Sequence, residues 1–294
     1  MKIVVTGTRG IPGIQGGVET HCQELYPLIA DEQHEIIVIR RPNYAVERSV
    51  QIYKQVAIKD ISAPCSKHLE AFVHTFKAVI YARKVKADIV HIHAVGPALM
   101  TPVARLLGMK VVITHHGPDY DRDKWGRFAK WILCMGERAG VYYANHIIVI
   151  SEHIRQIIYH QYSAKRNVTL IHNGVNVPTR VIGTEYLESL DLTEYGYVLA
   201  VGRFVKEKNL DQLVEAFTQL SSPSMKLVIA GDADFQDEYA QKLKEVCWKQ
   251  KNICLTGFIK GDKLAQLYTY AKVFVLPSTH EGLPIALLEA MSYG

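Results

Sequence analysis

The chain has 294 residues, 48% of them hydrophobic and 21% charged, with a formal net charge of +5. That composition belongs to a globular protein and excludes a disordered or collagen-like chain, and no apolar run is long enough to span a bilayer as a helix. The length exceeds what one hydrophobic core serves well and fits two α/β domains.

The opening Met1-Lys-Ile-Val-Val-Thr-Gly7 reads as a short strand entering a glycine loop. It has neither the apolar length nor the cleavage site of a signal peptide. From there β-branched runs alternate with longer helical patterns, the signature of parallel sheets built from βαβ units. In the first half the pattern predicts strands at Ile3–Thr6, Glu35–Arg40, Ile89–His93, Val111–His115, Ile147–Ile150 and Thr169–Ile171, with a weaker one at Val56–Ile61. Helices are predicted near 17–30, 67–86, 97–107, 123–143 and 152–161. Residues 174–196 are rich in turn formers and weakly periodic, which predicts a linker there. The alternation then restarts: Val198–Val201, helix 208–220, Leu227–Ala230, helix 236–249, Ile253–Leu255, helix 262–270, Val273–Leu276, helix 284–293. The expected domains are therefore 1–180 and 190–294.

Charge divides along the same line. Residues 1–180 hold 23 Lys and Arg against 14 Asp and Glu, whereas residues 181–294 hold 11 against 15. A basic first half suits an anionic lipid surface or a phosphate-bearing acceptor. No recognised nucleic-acid motif and no basic stripe interleaved with aromatics is present, so nucleic acid is not an expected partner. The five cysteines (22, 65, 134, 247 and 254) are odd in number and scattered, as reduced thiols of a cytosolic protein would be.

Several strand ends carry chemistry. The first loop, Thr8 to Gly17, holds Gly10, Gly13, Gly16 and Gly17 between a strand and a helix. Glycines there permit positive φ and close approach of backbone to a phosphate, although the spacing is not the dinucleotide G-x-G-x-x-G. A tight crossover turn is the alternative. His91 and His93 share a strand face, as a metal pair or as satisfied core residues, the second reading being preferred. His115 and His116 close a strand before Gly117-Pro118, and alternation sends their rings to opposite faces. Asp119-Tyr-Asp121-Arg-Asp123 has the look of a metal-binding D-x-D, but its position suits an acceptor-side loop with Asp123 capping helix 123–143. In the second half, Arg203 follows a strand and Lys208 opens the next helix, a fork and a point charge that fit a diphosphate, with Lys206 the competitor for the lysine role. Thr256-Gly257-Phe258 ends another strand.

The last stretch is the most specific. Glu281 lies in a loop and Glu289 on the second turn of the helix that follows, with Pro284 at the first helical position. The N–H groups from Gly282 through Leu283 to Ile285 are then free to receive a phosphate at the helix start. Two carboxylates beside an anion site suit a ligand with sugar at one end, ribose at the other and pyrophosphate between.

Glu281 and Glu289 resemble the paired-glutamate motif of the retaining GT-B glycosyltransferases, most closely family 4. Val201-Gly-Arg-Phe-Val-Lys-Glu-Lys-Asn209 resembles that family's diphosphate motif, and Gly7 to Thr20 is similar to bacterial polysaccharide glycosyltransferases, rhamnosyltransferase-like members included. The resemblance implies an α/β fold of two Rossmann-like domains facing each other across a cleft, a nucleoside-diphosphate sugar as donor, and no cofactor or metal. It implies that Arg203 and Lys208 hold the diphosphate, helped by the amides of Gly16, Gly17, Gly282 and Leu283. Glu289 would bind the ribose, Glu281 and His116 the donor sugar, and Gly257 and Phe258 the base. The acceptor would be a glycan or a lipid-linked sugar, and the place the cytoplasm or the inner face of the membrane. Family members continue beyond the point where this chain stops, so the second domain is expected to be incomplete. Two alternatives stand beside this reading: a catalytically silent nucleotide-sugar-binding module, and an NADP-dependent reductase using Arg40-Arg41 for the 2′-phosphate.

Overall fold

A computed structural model describes residues 1–64, 70–121, 125–162, 167–178, 183–220, 224–233 and 237–294. They divide into two compact units, Met1–Asn173 and Gly174–Gly294.

In the first unit the elements follow as β1 (Lys2–Thr6), α1 (Gly17–Ile29), β2 (Glu35–Arg40), β3 (Ile52–Tyr53), β4 (Val56–Asp60), α2 (Glu70–Lys84), β5 (Ile89–His93), α3 (Thr101–Leu106), β6 (Lys110–His115), α4 (Arg127–Tyr143), β7 (His146–Val149), α5 (Glu152–Tyr162) and β8 (Val168–Leu170). Their eight strands form one sheet in the order β3-β4-β2-β1-β5-β6-β7-β8, parallel except for β3. The strands are Val- and Ile-rich because helices cover both faces of such a sheet. Val4 packs on one side with Ile39, Val90, Ile92 and Val111. Val5 packs on the other with Ile11, Cys22, Tyr26 and Val38. Each such fully buried Val or Ile contributes roughly 1.5–3 kcal/mol.

The second unit holds α6 (Glu185–Ser189), β9 (Tyr197–Val201), α7 (Leu210–Thr218), β10 (Lys226–Ala230), α8 (Glu238–Trp248), β11 (Ile253–Gly257), α9 (Asp262–Thr269), β12 (Val273–Phe274) and α10 (Ile285–Tyr293). Its four parallel strands run β11-β10-β9-β12. Leu227 and Ile229 face one core with Phe204, Val214 and Leu243. Tyr197, Leu199 and Val228 face the other with Leu187 and Leu267. Parallel order places all strand carboxyl ends of a sheet along one edge, which is where open α/β sheets bind ligands.

Several local expectations change. The hairpin β3–β4 turns on Lys54 and Gln55, both at positive φ (44° and 69°), so a two-residue turn forms without the Asn-Gly or Gly that would announce it. Helix 97–107 divides into a 3-10 turn, Pro97–Met100, and α3. Helix 123–143 begins at Arg127 with Gly126 as its N-cap. The expected cap, Asp123, lies outside the described residues, as do Cys65 and the start of helix 67–86. Segment 174–196 is not all linker, because α6 lies in it and buries Leu187 in the second unit's core.

Candidate active site

The second unit assembles its charged residues from the loops after β9 and β12, neighbouring strands whose carboxyl ends lie side by side. After β9, Gly202 N–H donates to Ala230 O (2.9 Å) and Phe204 N–H to Asp232 O (3.1 Å). The loop is anchored by Phe204, 1% exposed, which leaves Arg203 half-buried beside it. Lys208 does not open a helix as predicted. It closes a 3-10 turn, Lys206–Lys208, and Asn209 in the left-handed region (φ 48°) separates that turn from α7. Asn209 tolerates this conformation as few residues do, and its side-chain amide donates to Pro277 O (3.2 Å). Thr279 N–H donates to Glu207 O (3.2 Å). These two bonds fasten the loops together and bring the Lys208 ammonium into a hydrogen-bonded ion pair with the Glu281 carboxylate. Lys206, the rival candidate, is exposed.

The last helix also starts later than predicted. Pro284 is the N-cap, in extended backbone (φ −72°, ψ 121°), and the first backbone turn closes when Leu288 N–H donates to Pro284 O (3.3 Å). The amides left over at the helix start are therefore those of Ile285, Ala286 and Leu287, so that of the expected set Gly282, Leu283 and Ile285 only Ile285 is among them. Proline without an N–H fits the cap as readily as the first turn, which is why the sequence misplaces the boundary by one residue. Glu289 lies on the second turn of α10 as read. Its Oε2 accepts from the Tyr268 hydroxyl (2.9 Å), and that hydroxyl also reaches Ala286 O (3.3 Å). Burial first, and then the Glu289 charge, push the Tyr268 hydroxyl far above its ordinary pKa, so it remains a donor. Tyr268 sits on α9 and no local pattern announces it. Gly257 ends β11, two strands from β9, and Phe258 follows it. Gly257 (φ 70°) accepts from Gly231 N–H (2.9 Å), and Phe258 is 44% exposed.

In the first unit the glycine loop is held by its own charges. Glu19, 6% exposed, accepts from Arg9 N–H (3.0 Å) and pairs with the Arg9 guanidinium (3.3 Å), which also donates to Gln15 O (2.8 Å). Gly16 is the N-cap of α1 at φ 145°, and a Cβ there would collide with Glu19 Oε2. Gly17 has open space. Arg9 and Glu19 thus form the clamp that shapes this loop.

His116 belongs to a buried network that the sequence shows only in part. His93 Nδ1 bonds His116 Nε2 (2.9 Å), and the Tyr26 hydroxyl bridges His93 Nε2 (2.6 Å) and His91 Nδ1 (2.8 Å). His91 Nε2 ends on Thr114 Oγ1 (2.8 Å). His21 from α1 lies edge-on to His116, with centroids 5.4 Å apart. His91 and His93 are thus satisfied core residues, as preferred. Burial, reinforced by His21, holds the His91 pKa at about 3, and burial with neighbouring imidazoles holds His93 and His116 well below the ordinary range. Neutral rings need alternating donors and acceptors, and Tyr26 has one proton. If Tyr26 donates to His93, the rings carry their protons so that His116 Nδ1 is a donor. If it donates to His91, His116 Nδ1 is an acceptor. His115, on the opposite face as alternation predicts, donates through Nε2 to Glu137 (2.7 Å) and accepts Gly117 N–H at Nδ1 (3.1 Å). Glu137 also takes the hydroxyls of Tyr120 (3.2 Å) and Tyr162 (2.6 Å). Burial alone would raise its pKa, but the hydrogen bonds from His115 and from these hydroxyls outweigh it and leave the carboxyl below its ordinary value. This buried cluster ties the 3-10 turn Asp119–Asp121 to α4 and α5.

Arg40 is spent on structure. Its guanidinium bonds Asp60 twice (2.7 and 3.0 Å) and the carbonyls of Glu47, Arg48 and Val50. Arg41 faces Glu70 (3.4 Å). The pair proposed for a 2′-phosphate is therefore engaged elsewhere, which removes the residue support for a reductase.

Two parallel Rossmann-like sheets are the fold of GT-B glycosyltransferases, and solved structures of that kind superpose on this chain. Anabaena HepE in complex with UDP-glucose matches with TM-score 0.80 at 16% identity, over 100% of this chain and 78% of that one. Sucrose-phosphate synthase from Thermosynechococcus elongatus matches with TM-score 0.80 at 20% identity, over 100% and 79%. The sequence model of Glycosyltransferase Family 4 matches residues 15–178, and that of Glycosyl transferases group 1 matches residues 185–294. The chain belongs to glycosyltransferase family 4. It is 27% identical to an uncharacterized glycosyltransferase of Methanocaldococcus jannaschii, over 100% of this chain and 79% of the relative. It is 25% identical to the UDP-Gal:alpha-D-GlcNAc-diphosphoundecaprenol alpha-1,3-galactosyltransferase of Escherichia coli, over 100% and 78%.

Proposed function

We infer that the protein is a retaining glycosyltransferase of glycan biosynthesis, moving a sugar from a nucleoside-diphosphate sugar to a glycan or lipid-linked acceptor. The observation that carries this is the second unit's constellation. The Lys208–Glu281 pair lies at one strand-end edge with Arg203, and α10 carries amides at its start and an oriented Glu289 on its next turn. Arg203, Lys208 and the α10 amides bind the diphosphate and stabilise its growing charge as the glycosidic bond breaks. Glu289, oriented by Tyr268, accepts from the ribose hydroxyls. Glu281 faces the donor sugar and favours positive charge at the anomeric carbon. In the first unit the α1 start at Gly17 offers amides to an anionic group, and His116 offers Nδ1 to a sugar hydroxyl. The anomeric C–O bond to phosphate breaks and the acceptor oxygen bonds the same face. The acceptor's proton passes to the leaving phosphate oxygen, and no metal takes part.

The relatives' chemistry supports the substrate class. One relative is described as a UDP-galactosyltransferase acting on a diphosphoundecaprenol-linked sugar, and one structural neighbour holds UDP-glucose. Among the described residues no helix is long and apolar enough to cross a membrane. A lipid-linked acceptor would be met, on this reading, at the cytoplasmic face of the bilayer. A thermal-shift panel of UDP, dTDP and GDP on the chain and on Glu289→Ala tests the reading, because binding to the folded state raises Tm by mass action. A shift from one nucleoside diphosphate, lost in the variant, is the expected result. A cooperatively melting chain that responds to none of them, or a variant that responds equally, overturns the donor assignment.

A further inference from the structure

α2, α3 and α4 pack side by side, and their outward positions are unlike an ordinary solvated face. On α4, Phe128, Trp131, Met135, Arg138 and Tyr142 recur three and four residues apart and so form one stripe. Phe128 is 73% and Trp131 59% exposed, and their rings stack with centroids 6.0 Å apart. On α2, Phe72, Phe76 and Ile80 recur every fourth residue, and each is more than two-fifths exposed. Leu106 at the end of α3 is 87% exposed. Scattered apolar residues need no explanation, but stripes on adjoining helices mark an interaction surface.

Charge identifies the occupant. The only acids on the three helices are Glu70 and Glu137. Both are engaged toward the protein, Glu70 by Arg41 and Tyr44, and Glu137 by His115, Tyr120 and Tyr162. The outward charges are all cationic, among them Lys77, Arg83, Arg127 and Arg138. Two copies of a wholly cationic face repel, which disfavours self-association. Nucleic acid would use the cations and leave the aliphatic and aromatic stripe in water. An anionic bilayer satisfies both, rings entering the headgroup boundary and cations remaining at phosphate level.

We propose that the α2–α3–α4 face docks on an anionic lipid bilayer, with Phe128 and Trp131 as the inserting residues. Co-sedimentation of the full chain with phosphatidylcholine vesicles, with and without phosphatidylglycerol, tests this. Binding is expected only with phosphatidylglycerol and falls as salt rises. It is lost in a Phe128→Glu, Trp131→Glu double variant whose Tm matches wild type, and drops about fivefold for each of Arg127→Gln and Arg138→Gln. Absence of binding to anionic vesicles, or equal binding by the double variant, overturns the proposal. So does a dimer in light scattering that the same variant dissolves, which would assign the face to a second copy. The assay uses neither donor nor acceptor, so its failure leaves the donor assignment intact.

Discussion

Buried imidazoles give this protein a predictable weakness in acid. His91 and His93 are at most 9% exposed. They face Tyr26, His21, Cys22, Thr114 and His116, with no carboxylate among these contacts to stabilise a proton. The folded pKa of His91 is about 3 and that of His93 is well below its ordinary 6.5, the cause being burial first and neighbouring imidazoles second. The unfolded chain therefore binds protons that the folded chain refuses. Stability is fully present above pH 6.5 and is lost as pH falls toward the folded values, by about 1.4 kcal/mol per pH unit for each ring. Two rings together give about 3 kcal/mol per unit, a large share of a typical stability of about 5–15 kcal/mol. Urea midpoints of the first unit's transition between pH 7 and pH 5 should fall steeply. A flat profile would show these rings to be protonated in the fold.

Loops and helix starts, rather than strands, decide how this site is built. Gly16 and Gly17 are adjacent in sequence yet make opposite demands. Gly16 adopts φ 145° and has Glu19 and Arg9 where a Cβ would go, so Gly16→Ala should cost about 1–3 kcal/mol. Gly17 has open space at the first position of α1, so Gly17→Ala should change Tm little or raise it slightly. Melting both variants checks the pair. The Lys208–Glu281 pair separates stability from chemistry in a similar way. Its side chains are 20% and 24% exposed, and a partly solvated pair contributes about 0–1 kcal/mol. Lys208→Ala should thus leave Tm almost unchanged while transfer from the donor falls about 100-fold or more. A rate within a few-fold of wild type would remove Lys208 from the diphosphate site. What the sequence showed follows from range. Strand cores, with β-branched runs and short separations, were legible, as were the positions of Arg203 after a strand, Glu281 in a loop and Glu289 on the second turn of the last helix. The Lys54-Gln55 turn was not, because neither residue type announces a positive φ, and the Asn209 break and the Pro284 cap were not, because each residue type fits more than one position near a helix start. Tyr26, His21 and Tyr268 were invisible for another reason: each matters only through a partner far along the chain.

At the scale of the molecule, chemistry and charge are distributed unevenly. Residues 1–180 carry the cationic surplus, whereas residues 181–294 hold 11 Lys and Arg against 15 Asp and Glu. Affinity of the second unit for a diphosphate cannot come from its overall field, which opposes an anion. It must come from the local arrangement of Arg203, Lys208 and the α10 amides. That unit has its own four-stranded sheet and two cores of its own, around Leu227 and around Leu199. These are the ingredients of an independently folding domain. Residues 174–294 produced alone should melt cooperatively and be shifted by the same nucleoside diphosphate that shifts the whole chain, and residues 1–173 should not respond. Both pieces can be measured in the same thermal-shift panel, with added salt as a control for bulk charge. A response confined to residues 1–173 would move the donor to the glycine loop. A folded second unit that ignores every nucleotide would show that Arg203, Lys208 and Glu289 do not make a binding site by themselves.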